Sequence, residues 1–202
     1  MKYLLKRRLE KFKNTIESTE IINAKNTKFI LEEGLAEVYN LLKNVQSNNR
    51  DLDVLGNGGS SAIASHAVID FMNVGGISCH TLCDSPSLTC MSNDYGYENA
   101  FSKMLNIVSK KEDLLIVISS SGESENIVNA VKTAKENSIT VITLSGFEEG
   151  NSLRVLGDIN IWVDSKWKNI SELENDDVGG VGEEIIDSLC QKAQIVSEIA
   201  GT

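Results

Sequence analysis

Ser119, Ser120, Ser121, Gly122, Glu123 and Ser124 follow directly on the aliphatic run Leu114, Leu115, Ile116, Val117 and Ile118. Four hydroxyls and a glycine at the carboxyl end of a buried strand offer hydroxyl and backbone N–H donors to an anion, and the expected guest is a phosphate. Ile127, Val128, Val131 and Ala134 then recur at the spacing of one apolar helical face, so a helix begins near Ser124 and aims its N-terminus back at the serines. Ser124 also suits the N-cap position, and a turn that only caps its helix is the alternative reading of this segment taken alone. Glu123 favours the helix dipole but repels a phosphate, so its side chain is expected to turn outward.

A second loop lies upstream, where the short strand Leu52, Asp53, Val54, Leu55 runs into Gly56, Asn57, Gly58, Gly59, Ser60 and Ser61 before an alanine-rich helix. The loop lacks the lysine of a P-loop, and Ser61 stands where a dinucleotide fingerprint carries its third glycine, so no nucleotide cofactor is expected. Gly58 and Gly59 let the backbone approach a ligand closely, while Asn57 and Ser60 offer side-chain hydrogen bonds. In the helix that follows, His66 and Asp70 are four residues apart and share a face, which suits shared coordination or shared catalysis. The plainer alternative is a packed helix histidine beside a solvated carboxylate.

The two loops, about sixty residues apart on successive strand-helix units, resemble the sugar isomerase (SIS) domain family and, within it, the phosphoheptose isomerases. The matching segments are Gly56 to Ser60, His66, Ser92-Asn93-Asp94-Tyr95-Gly96-Tyr97, Ile118 to Ser124, and Val141-Ile142-Thr143-Leu144-Ser145-Gly146. The resemblance implies binding of a phosphorylated sugar and aldose–ketose isomerisation through an enediol, most closely sedoheptulose 7-phosphate to D-glycero-D-manno-heptose 7-phosphate for surface polysaccharide. It implies phosphate binding by Ser119, Ser120, Ser121 and Ser124, and sugar contacts from Asn57, Gly58, Gly59, Ser60, Asn93 and Asp94. It further implies a homotetramer with sites near subunit interfaces, and zinc, one ion per subunit, as a compatible cofactor.

Three positions depart from the family's pattern. Asp70 stands where the family has a glutamate, and alignment of the C-terminal segment puts Glu183 at the family's metal-binding glutamine and Gln191 at its catalytic histidine. The chain has two histidines, His66 and His80, so none comes from that segment. Glu183, Asp187 and Gln191 recur at four-residue intervals and form a polar stripe that faces either the site or solvent. If it faces the site, His66, Asp70, Glu183 and Gln191 supply nitrogen and oxygen ligands to zinc or another divalent ion. Asp70, Glu183 and Asp187 are then the candidates for moving protons.

The elements that position these groups are regular. Strand-like runs at Asp51 to Leu55, Ile77 to Leu82, Leu114 to Ile118, Thr140 to Leu144 and Ile159 to Val163 alternate with helical stretches. They predict a three-layer α/β/α sandwich on a five-stranded, mostly parallel sheet. Residues 1 to 48 read as a helical segment without strand signal, with Ile16, Ile21, Ile22, Phe29, Ile30 and Leu31 on its apolar side, packed on the sandwich or on another subunit. Residues 51 to 202 are expected to form the sandwich, and the resemblance implies that residues 1 to 202 make one SIS domain. Residues 164 to 177 read as a polar loop of the kind that is usually functional or disordered. A final helix over 178 to 200 buries Val181, Ile185, Leu189, Ala193, Val196 and Ala200.

A chain of 202 residues with 41% hydrophobic content suffices for a sizeable core. A net charge of −10 argues against direct nucleic-acid binding and requires local donors for any anionic substrate. No apolar run approaches a membrane span, and the N-terminus reads as a basic amphipathic helix rather than a signal peptide, so the expected location is the cytoplasm. Cys79, Cys83, Cys90 and Cys190 lack metal-site spacing and read as reduced, mostly buried small hydrophobes. Three functions fit these residues: an isomerase, a noncatalytic family member of the kind that binds a replication initiator, and a sugar-phosphate sensor.

Overall fold

A computed structural model describes residues 2–164. Its elements in order are α1 (Lys2–Glu17), β1 (Glu20–Asn23), β2 (Lys28–Phe29), α2 (Leu31–Ser47), β3 (Asp51–Gly56), α3 (Gly59–Asn73), β4 (Ser78–His80), α4 (Ser85–Tyr95), α5 (Ala100–Val108), β5 (Leu114–Ser119), α6 (Glu125–Glu136), β6 (Thr140–Ser145) and β7 (Ile159–Trp162). Two 3-10 turns, Tyr97–Asn99 and Ser152–Val155, complete them. The expected final helix and the 164–177 loop lie, apart from Asp164, outside the described residues. So do Glu183, Asp187, Gln191 and Cys190.

The central strands alternate in which core they serve. On β5, Leu114, Ile116 and Ile118 join Ile63, Ala64 and Phe71 of α3 and Leu42 and Val45 of α2 on one face. Leu115 and Val117 join Phe101, Met104 and Leu105 of α5 and Ile127, Ala130, Val131 and Ala134 of α6 on the other. An α/β/α sandwich follows, because a strand covered on both faces reads as a continuous apolar run. Burial of each such side chain contributes about 1.5–3 kcal/mol, so the central strands anchor everything mounted on their ends.

The sheet has seven strands rather than five, in the order β2-β1-β7-β6-β5-β3-β4. The five parallel strands are the predicted ones, with the second trimmed to Ser78–His80. The two added strands fall in the segment read as helical throughout. There β1 pairs antiparallel with both β2 and β7, in register Ile21↔Phe29 and Ile21↔Ile161. The turn chemistry explains the correction: Asn23 Oδ1 accepts the backbone N–H groups of Lys25 at 2.9 Å and Thr27 at 3.0 Å, and Asn26 takes a φ of 60°. Ile21 and Ile22, adjacent and both buried, point to opposite faces of the sheet, as the successive residues of a strand covered on both sides do.

The cysteines fall short of the expectation that most are buried. All three described ones are free thiols, but Cys79 is buried, Cys83 half-buried and Cys90 exposed. Burial pushes the Cys79 thiol up to about 12, so it stays protonated and inert. Among the described residues no helix is long and apolar enough to cross a membrane.

One buried acid makes stability depend on pH. Asp53 is 4% exposed, and burial holds its carboxyl above the ordinary value of 3.8 although Ser109 Oγ donates to Oδ2 at 2.8 Å. Above that ordinary value the unfolded chain has released a proton that the folded chain retains. Stability therefore falls as pH rises from about 4 through the folded value, because the native state binds more protons. Asp53→Asn is expected to remove this fall, and the stability gap between variant and parent, measured by urea unfolding, should widen from pH 4 to pH 7.

Candidate functional site

The chain runs from β3 out to the edge strand β4 and returns as β5 on the other side of β3, after which β6 and β7 continue away. The direction of strand addition thus reverses between β3 and β5, which pair in register Gly56↔Ile118. A crevice outside the carboxyl ends of such a strand pair is where open α/β sheets bind ligands. Both loops singled out from the sequence emerge there.

The serine loop is built as a cradle. Gly122 takes a φ of 67°, its N–H donates to the Ser119 carbonyl at 3.1 Å, and its own carbonyl accepts the Leu153 N–H at 3.2 Å. Gly146 N–H donates to the Ser120 carbonyl at 3.0 Å, tying the loop to the end of β6. Ser119 Oγ donates to Ser124 Oγ at 3.4 Å, and Ser121 Oγ accepts the Glu123 N–H at 3.2 Å. Ser124 is the N-cap of α6 by position, yet its side chain makes no capping bond, which leaves first-turn N–H groups for a ligand. Glu123 turns away as expected: its two carboxylate oxygens accept Ser152 N–H at 2.6 Å and Ser152 Oγ at 2.7 Å. The Glu123 carboxylate is thereby held at the start of the 3-10 turn.

The glycine loop stands beside it. A Cβ on Gly56 would lie 2.6 Å from the Ser60 carbonyl, so only glycine lets α3 start this close to the end of β3. Gly58, at a φ of 53°, precedes the helix, and Gly58 and Gly59 are exposed while Ser60 is buried in the first turn. Asn57 crosses to the other loop. Its Nδ2 donates to Asn126 Oδ1 at 2.8 Å, and its Oδ1 accepts Asn126 Nδ2 at 2.9 Å and Tyr97 OH at 2.8 Å.

The other expected site residues are placed as follows. His66 Nε2 and Asp70 Oδ2 are 3.6 Å apart on α3, with the imidazole two-thirds exposed and the carboxylate mostly covered. This pair shares a face as the spacing requires, and it supplies one nitrogen and one oxygen donor suited to a divalent ion. Among the described residues no group of three or more histidine, cysteine or acidic side chains is placed to hold a metal ion. Asn93 and Asp94 sit on the last turn of α4, where Asn93 Nδ2 donates to Asp94 Oδ1 at 3.0 Å and Cys90 Sγ to Asp94 Oδ2 at 3.8 Å. Among the described residues their side-chain bonds stay on that helix and reach neither loop.

Sequence reasoning missed Asn126, Asn151 and Ser152. Asn126 lies two residues beyond the last serine, at a position that reads only as helical. Asn151 is buried, donates to the carbonyls of Gly146 and Glu148 at 3.3 and 2.8 Å, and accepts Arg154 N–H at 3.2 Å, forming the wall against which Gly122 packs. No local pattern singles it out.

The family profile described as SIS domain matches residues 17–146, more than half of the chain. The chain is 33% identical over 141 residues to a phosphoheptose isomerase of Helicobacter pylori strain P12, covering 67% of this chain and 73% of that one. Its fold is similar to the solved phosphoheptose isomerase of Francisella tularensis, at TM-score 0.72 and 25% identity over 96% of this chain and 98% of that one. The phosphoheptose isomerase of Neisseria gonorrhoeae is similar at TM-score 0.64 and 29% identity, over 81% of this chain and 87% of that one.

Proposed function

The chain belongs to the SIS domain family, and on that premise we propose that it is a sugar-phosphate aldose–ketose isomerase whose substrate is sedoheptulose 7-phosphate. The observation that carries this reading is the pairing of the Ser119–Ser124 cradle with the Gly56–Ser60 loop at the sheet's reversal point, with Glu123 turned away from the anion path. Phosphate is assigned to Ser119, Ser120, Ser121 and Ser124, and the sugar to Asn57, Gly58, Gly59, Ser60, Asn93 and Asp94. The phosphate needs no lysine or arginine in this scheme, because hydroxyls and a helix N-terminus supply the donors.

Asp70 is assigned the proton transfer between adjacent carbons, with Glu183 or Asp187 serving the oxygens. His66 and Asp70 fit part of a zinc set, which Glu183 and Gln191 complete in this proposal. A bound divalent ion would supply Lewis acidity toward the substrate's oxygens. The same reading places the protein in the cytoplasm as a homotetramer. Support for assembly comes from Ile69 and Met72 of α3, which are 59% and 54% exposed on the helix that bears His66.

A noncatalytic, sugar-phosphate-binding role is the second reading. It is favoured by Asp70 in place of a glutamate and by the absence of any histidine beyond His80. Turnover of sedoheptulose 7-phosphate by the purified protein, with and without added zinc and with Ser121→Ala as control, separates the two. The isomerase reading expects turnover that the control loses; tight binding without turnover establishes the second.

A further inference from the structure

We propose that Asn126 is a positioning residue that, through the side chain of Asn57, holds the phosphate cradle and the sugar-contacting loop at one fixed spacing. The inference rests on the sugar-phosphate reading and adds a residue to it. Asn126 is 2% exposed in the first turn of α6, directly behind the cradle. Burying an amide costs free energy unless its donors and acceptor are met. Among the described residues both side-chain bonds of Asn126 go to Asn57, sixty-nine positions away, as a reciprocal pair at 2.8 and 2.9 Å. The 97–99 turn is drawn into the same unit, by Tyr97 OH on Asn57 Oδ1 at 2.8 Å and by Asn129 Nδ2 of α6 on the Glu98 carbonyl at 3.1 Å.

This arrangement dictates how Asn57 meets a ligand. Its Oδ1 already accepts two donors and its Nδ2 has given one proton to Asn126, so one N–H remains. Asn57 therefore addresses a sugar as a donor, toward a carbonyl or hydroxyl oxygen, at a distance from the phosphate fixed by α6. Two apolar side chains would fill the same space at lower desolvation cost, whereas a satisfied polar pair specifies one relative placement of the loops.

The test is a double-mutant cycle on the affinity for sedoheptulose 7-phosphate, read by calorimetry. Asn57→Ala and Asn126→Ala should each weaken binding about tenfold, the loss of about one hydrogen bond to the ligand. If Asn126 acts through Asn57, the double variant binds no more weakly than Asn57→Ala alone, and inorganic phosphate binds Asn126→Ala as it binds the parent. Losses that multiply to about a hundredfold overturn the proposal. Tyr97→Phe, at an exposed residue, guards against misfolding of the buried variants: it should weaken sugar-phosphate binding about threefold with no change for inorganic phosphate, and equal losses for both ligands count against the proposal. Should no form bind sedoheptulose 7-phosphate, the substrate reading falls, and nitrogen-15 spectra decide the coupling. Inorganic phosphate should then shift the Asn57 side-chain NH2 signals in the parent and leave them in place in Asn126→Ala. A shift that persists in the variant, or none in the parent, overturns it.

Discussion

Gly122→Ala is expected to weaken capture of inorganic phosphate and of a sugar phosphate by at least a hundredfold. The backbone at Gly122 has a φ of 67°, a conformation that costs any residue with a Cβ about 1–2 kcal/mol. The added Cβ would also fall on the Asn151 carboxamide, which is buried and engaged with Gly146, Glu148 and Arg154. Relief by moving Asn151 breaks those bonds at about 1 kcal/mol each, and relief by moving residue 122 opens the cradle. Either route misplaces donors that must converge on one anion. Calorimetric titration with inorganic phosphate reads the effect directly, and Asn151→Gly in the same chain should restore part of it by removing the clash. An alanine variant that binds phosphate within threefold of the parent would show that the loop's geometry does not hold the anion.

Asp70→Asn is expected to reduce turnover of sedoheptulose 7-phosphate at least a hundredfold while leaving its binding within a few-fold. The carboxylate is assigned proton transfer, and an amide of the same shape keeps the contacts but not the base. Asp70 is one methylene shorter than the glutamate typical of the family, and misplacement by about an ångström costs on the order of a hundredfold in rate. Asp70→Glu should therefore raise kcat by about tenfold or more with little change in binding. Equal turnover in the parent and in Asp70→Asn would remove Asp70 from the chemistry and leave His66 and Asp70, 3.6 Å apart, as neighbours on one helix face.

The parts of the fold that were legible in the sequence are those where one physical signal dominates. Four of the five parallel strands, β3, β5, β6 and β7, are largely buried runs that no competing helix period disturbs, while the edge strand β4 buries only Cys79 between exposed Ser78 and His80. The β1-β2 hairpin was not legible because Ile21, Ile22, Phe29 and Ile30 also fit a helical stripe; what decides for strands is the asparagine turn at 23–26 and a free sheet edge at β7, the second of which is a tertiary fact. The site divides in the same way. Ser119–Ser124 and Gly56–Ser60 announce themselves by glycine and hydroxyl chemistry at strand ends, and His66 with Asp70 by helical spacing. Asn126 and Asn151 do not, because their partners are supplied by chain reversal and by a neighbouring loop. Cys90 is exposed where a small hydrophobe was expected, since the exposed side of α4 carries it.

The central claim is that this site moves a proton between adjacent carbons of a sugar phosphate held by the serine cradle. Sedoheptulose 7-phosphate incubated with the protein in deuterium oxide and followed by NMR tests it most directly. The account predicts new aldose signals and solvent deuterium at the carbon that receives the proton, both lost in Ser121→Ala. A sugar phosphate that binds in the Ser119–Ser124 cradle yet shows neither new signals nor deuterium would contradict it.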